Sequence, residues 1–529
     1  MPSRHVNTDD RLVALPARSL QKMVTLALVA MSLVVPSGSG KRAHSAEKTG
    51  APNIVFILAD DLGYGDLGCF GQKKIRTPHL DRLAAEGMRL TQHYSGNAVC
   101  APSRCVLMTG LHPGHAFIRN NREAKPEGQF PIPAATLTLG KLLQQQGYVT
   151  GAFGKWGLGG PESEGRPLKQ GINRFFGYNC QAVAHNFYPT SLWDDETRFP
   201  LINPAFAAQQ PKLADGVDPL DPKSYAGFSG QVYSADLITE QALKFVRENR
   251  DRPFFLYVPT TIPHLALQVP EDGLQEYANA FPDDPPYVGG RGYLPHRTPR
   301  AAYAAMVTRM DQHVGKIVSL IRELGLDEQT IYVFSSDNGP LYDKLGGTDC
   351  EFFESAGPLR GRKGSLYEGG FREPTLVRWK GHIAAGTTSD RVSGFEDWVP
   401  TLLELIGSSD KIPHGLDGIS LAPTLLGRNQ PARPFLYREF PAYGGQVALR
   451  MGDWKGVVQN LLPQGKRPAQ PWKMELYNLK DDITESRDVA ADYPDVVARI
   501  DLIMREQHVP STEFPFPALD ERSRSSTQK

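Results

Sequence analysis

Residues 53–61 read NIVFILADD, an almost wholly apolar, β-branched-rich run closed by two adjacent aspartates. A run this short and continuous suits a strand covered on both faces, because a solvent-facing side would demand alternating polar residues. Three further segments repeat the pattern. Residues 149–153 stop at Gly154 and Lys155, residues 254–258 run on to His264, and residues 331–335 stop at Asp337 and Asn338. Helical periodicity lies between them, clearest where Met306, Met310, Val314, Ile317, Ile321 and Leu324 share one face ahead of Gly325 as a C-cap. Strands alternating with helices predict an α/β fold, a large mixed but mostly parallel sheet sandwiched by helices. Ligands of such sheets bind beyond the carboxyl ends of the strands, so the four polar clusters are expected to meet on one rim.

Outward from that core, the chain of 529 residues carries 58 Lys plus Arg and 58 Asp plus Glu, hence no formal net charge. That balance excludes a protein held to nucleic acid by overall charge. Gly and Pro number 51 and 43, a share above the average of about 12%, which places long loops over the sheet. Residues 1–46 read as a signal peptide, with Arg4, Arg11, Arg18 and Lys22, an apolar run over 23–35, small residues at 37–40 and a cleavage region near Ala46. The apolar run is short for a bilayer, so the mature protein is expected in the periplasm or outside the cell, with no stable membrane span after processing. Residues 50–430 are expected to form the main, catalytic domain, with irregular excursions at 188–228 and 270–299. Residues 431–515 are expected to form a small α+β subdomain with an antiparallel sheet, and residues 516–529 a disordered tail. The five cysteines, Cys69, Cys100, Cys105, Cys180 and Cys350, are too dispersed for a disulfide framework, lack zinc-ligand spacing, and leave at least one unpaired.

The segment 100–110, CAPSRCVLMTG, carries the most chemical information. Cys100 ahead of Pro102 and Ser103 reads either as a buried thiol at a helix start or, beside Arg104 and a helix dipole, as a thiolate nucleophile. Asp60, Asp61, Asp337 and Asn338 are hard oxygen donors suited to Ca²⁺ or Mg²⁺, and the lack of His and Cys among them argues against zinc.

Together these segments resemble the type I sulfatases, the formylglycine-dependent branch of the alkaline-phosphatase-like superfamily. The likeness rests on C-x-P-S-R followed by T-G at 100–110, Asp60 with Asp61, GKWGLG at 154–159, Pro263 with His264, SDNG at 336–339, and GRKGSLYEGGFREP at 361–374. These occur in the family's order from about Pro52 onward. The resemblance implies a sulfuric ester hydrolase of the arylsulfatase kind, acting on a sulfated small molecule or glycan. A formylglycine-generating maturation enzyme would oxidise Cys100 to formylglycine, whose hydrated aldehyde attacks sulfur, forms a sulfate hemiester and ejects sulfate on collapse. The implied metal set is Asp60, Asp61, Cys100, Asp337 and Asn338 around Ca²⁺, or Mg²⁺. The implied catalytic set is Cys100, Arg104, Lys155, His264 and Lys363, with Lys155, His264 and Lys363 also binding substrate. Cations fixed in a dry pocket stabilise charge spreading over sulfate oxygens, and His264 would protonate the departing alcohol.

One position departs from the family. Many members have histidine as the fourth residue of G-K-W-H, poised as base for sulfate elimination, and here it is Gly157. His115 and His185 are the candidates to substitute for it, and His185 is taken as a substrate contact. Recognition is expected from the irregular stretch 180–193, where Asn186, Tyr188 and Trp193 offer hydrogen bonds and a stacking face, and from Arg360 and Arg362. Such a loop suits a terminal sulfated sugar. Two alternatives stand beside this reading: a phosphate mono- or diester hydrolase of the same superfamily, and a glycan-binding pseudoenzyme suggested by Gly157.

Overall fold

Asn53–Asp60 is a strand with every residue buried, and its alternation explains why both faces are apolar. Val55, Ile57 and Ala59 join one hydrophobic cluster, while Ile54, Phe56 and Leu58 join another on the opposite face. In the computed structural model, which describes residues 50–529 apart from 126, 208, 210, 343 and 527–529, this strand lies near the middle of a ten-stranded sheet. The signal peptide expected at 1–46 lies outside the described residues.

Five central strands run parallel, in the order Thr330–Ser336, Asn53–Asp60, Phe254–Pro263, Val149–Lys155 and Arg174–Tyr178. Antiparallel pairing begins at both flanks, with Thr375–Trp379 on one side and Ser191–Asp194 on the other, so the sheet is mixed with a parallel centre. Helices Pro78–Ala85, Ser234–Asn249 and Pro299–Glu323 cover one face, and Cys100–Thr109, Leu139–Gln145 and Trp398–Leu405 cover the other. The long helix Pro299–Glu323 starts on a proline and buries Met306, Met310, Val314, Ile317 and Ile321. It ends where Gly325 takes φ 71°, a left-handed conformation that favours glycine.

The C-terminal part forms a four-stranded antiparallel sheet, Leu436–Phe440, Gln446–Met451, Trp454–Val458 and Met474–Asn478, covered by the helix Pro494–Glu506. The tail expected to be disordered from 516 onward is instead helical over Pro517–Ser526. Its polar composition hides two anchors: Phe516 and Leu519 bury into the cluster around Ile500 and Met504, and Asp520 pairs with His508 Nε2 at 2.9 Å.

Residues 50–529 form one compact unit, and buried charge lies in the seam between the two sheets. Lys455 on the small sheet sits 2.9 Å from Glu368 Oε1 and 2.8 Å from Glu485 Oε1, and Glu368 also meets Arg372 and Tyr94. Lys455→Met leaves these acids without their shared cation and is expected to destabilise the fold by about 3–5 kcal/mol, read by urea unfolding. Burial alone would raise the Glu368 carboxyl, but Lys455, Arg372 and Arg450 outweigh it and hold it at about 2. A depressed acid contributes stability above its ordinary value, near 4.5, which is lost as pH falls toward 2. Acid unfolding of Lys455→Met should therefore begin at higher pH than that of the parent protein.

Candidate active site

The four polar strand ends meet on one rim. Asp60 closes Asn53–Asp60 and Lys155 closes Val149–Lys155, while His264 directly follows Phe254–Pro263 and Asp337 directly follows Thr330–Ser336. Asp61 turns the chain away at φ 65°, a conformation Asp tolerates better than most side chains, and its N–H donates to Asp337 Oδ1 at 3.2 Å. Asp337 extends the ladder by donating its own N–H to the Ala59 carbonyl, 3.0 Å.

Cys100 is the first residue of the helix Cys100–Thr109, and Arg104 lies one turn further along the same face. Both are buried. The Cys100 thiol lies 3.7 Å from Asp60 Oδ1 and 3.6 Å from each of the ammonium groups of Lys155 and Lys363. Lys155 also meets Asp60 Oδ2 at 2.6 Å and Lys363 meets Asp61 at 2.8 Å. Arg104 donates from Nε and Nη2 to Asp337 Oδ2 at 3.0 and 2.7 Å, and from Nη1 to the Lys155 carbonyl. Three carboxylates and three cations therefore surround one sulfur atom, out of contact with bulk water.

Electrostatics decides what that sulfur can be. Burial outweighs Lys155 and Lys363 and pushes the Cys100 thiol up to about 12, so the two lysines alone do not make it a thiolate at neutral pH. Burial and the charge on Asp60 together overcome Arg104 and raise Asp337 to about 6, and burial raises Asp61 as well. Crowded carboxyls pushed upward mark a place that a cation would relieve.

The donor set fits such a cation. Oxygens of Asp60, Asp61 and Asp337 and the Cys100 sulfur all lie within 4.8 Å of one another. Asn338 Nδ2 donates to Asp61 Oδ1 at 2.6 Å and to the Gly339 carbonyl at 3.0 Å, while its Oδ1 is buried without a hydrogen-bond partner among the described residues. An open acceptor beside three carboxylates suits a hard divalent ion.

His264 points its Nε2 into this cluster, 3.3 Å from Asp61 Oδ2, because its Nδ1–H donates to the Leu265 carbonyl at 2.7 Å. His185 stacks flat on the His264 ring, with centroids 4.3 Å apart and planes at 6°, and Tyr293 meets both rings edge-on. Tyr293 escaped the sequence reading because it lies in the aperiodic stretch 270–299.

Other expected positions have partners of their own. His115 follows the far end of the ten-residue helix that Cys100 begins, and such a helix rises about 15 Å. Its Nδ1 is bonded to Asp417 at 2.9 Å and its ring stacks on His112, so it does not supply the group missing at Gly157. His112 Nδ1 accepts the Gly114 N–H at 3.2 Å, which leaves the proton on Nε2, facing Gln507 at 3.1 Å. Both ring nitrogens of His112 and the Nδ1 of His115 thus have hydrogen-bond partners within the protein. Trp193 donates its indole N–H to Glu127 at 2.8 Å and is covered by Arg198. Arg360 lies over the Tyr367 ring and bonds to Tyr477 and the Glu485 carbonyl, so it braces the small sheet. Tyr188 is buried against Tyr233, and Asn186 accepts from Tyr178 and from the Tyr188 N–H. Arg362 faces Glu351 at 3.4 Å.

The Sulfatase family model matches residues 52–408. The chain belongs to the sulfatase family. It is 34% identical to human arylsulfatase A over 429 residues, covering 76% of this chain and 74% of that protein. It is 33% identical to N-acetylgalactosamine-6-sulfatase of Canis lupus familiaris over 437 residues, covering 80% and 74%. Among solved structures, Ps i-CgsB in complex with k-i-k-neocarrahexaose superposes with a TM-score of 0.69 at 26% identity, covering 90% of this chain and 98% of that one. The protein is thus a sulfatase, a hydrolase of sulfuric esters. No described helix of this sulfatase is long and apolar enough to cross a membrane.

Proposed function

We propose that this sulfatase is exported by the signal at 1–46 to the periplasm or medium, where it removes a sulfate ester from a sugar of a sulfated glycan. The observation that carries the catalytic part is the position of Cys100 at the start of a buried helix, 3.6 Å from each of two ammonium groups and clustered with the Asp60, Asp61 and Asp337 carboxylates. In this reading the formylglycine made from Cys100 supplies the oxygen nucleophile and a carbonyl to which it can revert. A Ca²⁺ held by Asp60, Asp61, Asp337, Asn338 and residue 100 supplies Lewis-acid stabilisation of a sulfate oxygen. The glycan substrate is supported by the likeness to Ps i-CgsB in complex with k-i-k-neocarrahexaose.

The chain's own residues do the rest. Lys155 and Lys363 hold sulfate oxygens and neutralise charge that spreads onto them during transfer. Arg104 binds Asp337 and the Lys155 carbonyl together, which keeps that lysine's backbone and the metal carboxylate in register. His264 offers Nε2 to the bridging oxygen while Leu265 fixes its other nitrogen. In the free enzyme burial and Lys363 keep His264 well below its ordinary value and so neutral. An arriving anion beside it favours the imidazolium that protonates the departing alcohol.

The test joins the mass of the Cys100 peptide, after co-expression with a formylglycine-generating enzyme, to sulfate release from an aryl sulfate and a panel of sulfated sugars. Conversion of the thiol to the aldehyde with release from sugars is expected. Active protein with unmodified cysteine overturns the nucleophile, and release from the aryl sulfate alone overturns the glycan. His264→Ala is expected to lower turnover of sugar sulfates by about 10²–10⁴-fold. Its effect on the aryl sulfate should be smaller, because a phenolate departs with less need of a proton.

A further inference from the structure

Gly157 lies two residues past the strand Val149–Lys155 and donates its N–H to the Asn179 carbonyl at 3.2 Å, so the two chains stay paired beyond the strand ends. Its φ of 80° leaves it without strain only as glycine. A Cβ at this position would lie 2.9 Å from Gln181 Nε2 and 3.6 Å from Arg104 Cδ. The Gln181 amide therefore fills the space that a side chain at 157 would take, beside the arginine that stands one helical turn from Cys100. Gln181 is only 5% exposed, and its Nε2 has no hydrogen-bond partner among the described residues.

A buried amide donor left open is costly, so such groups mark places where an acceptor arrives from outside. Arg104, whose Cδ lies 3.6 Å from the same point, is a cation beside this space, and its Nη1 donates to the carbonyl of Lys155, the residue whose ammonium group stands 3.6 Å from Cys100. An acceptor suited to an amide donor beside such cations is an oxyanion. We propose that Gln181 Nε2 donates a hydrogen bond to an oxygen of the substrate's sulfate group, an inference that rests on the sulfate-ester reading of the site. An amide does not take up a proton near neutral pH, so Gln181 binds the anion without serving as a base. The glycine at 157 is what lets it reach this place.

The test measures calorimetric binding of inorganic sulfate to the full chain carrying Cys100→Ala in saturating Ca²⁺, which removes turnover from the readout. Gln181→Ala is expected to weaken binding about tenfold, the loss of one hydrogen bond to a charged acceptor. Gln181→Glu should weaken it further, because a carboxylate would face the sulfate. Gly157→Ala should also weaken it by displacing the amide. A purely structural glutamine would lower the melting temperature on truncation and leave sulfate affinity unchanged. The binding role predicts the opposite: reduced affinity with a melting temperature unchanged or raised, since an open buried donor has been removed. If Cys100→Ala binds sulfate and both Gln181 variants bind it equally well, the inference is overturned while the sulfatase reading stands. If Cys100→Ala itself binds no sulfate, the anion contact assigned to Gln181 is overturned, while membership of the sulfatase family stands on the comparisons alone.

Discussion

Cys100→Ser is expected to fold as the parent does and to lose at least about 10³-fold in sustained sulfate release, because the nucleophile acts as a unit with its cations. The substitution is nearly isosteric at the first position of the helix Cys100–Thr109. A serine hydroxyl can still take the 3.6 Å positions beside Lys155 and Lys363, so substrate binding and the melting temperature should change little. What serine lacks is a second hydroxyl on the same carbon. Once its oxygen bears the sulfo group, no neighbouring oxygen can expel sulfate by forming a carbonyl, and release must wait for water to attack sulfur. The variant should therefore gain the mass of one sulfo group and then stall. Intact mass spectrometry during incubation with a sulfated sugar reads this directly, and multiple turnovers at the parent rate would sink the proposed mechanism.

Asp337→Asn should be almost as damaging, for two separable reasons. Asp337 Oδ2 receives two donors of Arg104, and both side chains are wholly buried. Breaking a buried pair from one side costs about 3–5 kcal/mol, with an asparagine oxygen retaining part of the hydrogen bonding. The same carboxylate belongs to the oxygen cluster read as the cation site, so calcium affinity should fall too. A ligand bound to the folded state alone adds about 2.7 kcal/mol at a hundred times its Kd. The parent is expected to melt higher in Ca²⁺ than in chelator, and Asp337→Asn to lose most of that difference together with at least about 10²-fold of activity. Asp61→Asn leaves the Arg104–Asp337 pair intact and is expected to lose the calcium response with a smaller change in chelator. An undiminished calcium response in Asp337→Asn would remove this residue from the metal set.

Strand positions were legible at 53–61 because burial on both faces writes an uninterrupted apolar run, and each run ended on the residues that now meet at the rim. The helix at 299–323 was legible for the corresponding reason, since its buried face repeats with the helical period. The tail beyond 516 was not. Two apolar anchors, Phe516 and Leu519, hold it among polar neighbours, and nothing local distinguishes them from exposed residues. Histidines show the same limit: His115 and His185 looked alike as candidates, yet one ends beyond a helix against Asp417 and the other stacks on His264.

By itself the sequence determined the sheet, the oxygen-rich strand ends and the helix-borne Cys100 with Arg104 one turn on. Each of these is written in local periodicity or in neighbouring residue types. Only the tertiary structure decided that Lys363 reaches Asp61 across 302 residues, that His185 and Tyr293 back His264, and that Gln181 occupies the space Gly157 leaves. It also decided which partners hold Trp193 and Arg360. Those placements depend on how aperiodic loops cross over a rigid sheet, and a loop's path is set by contacts with distant segments that no local pattern records.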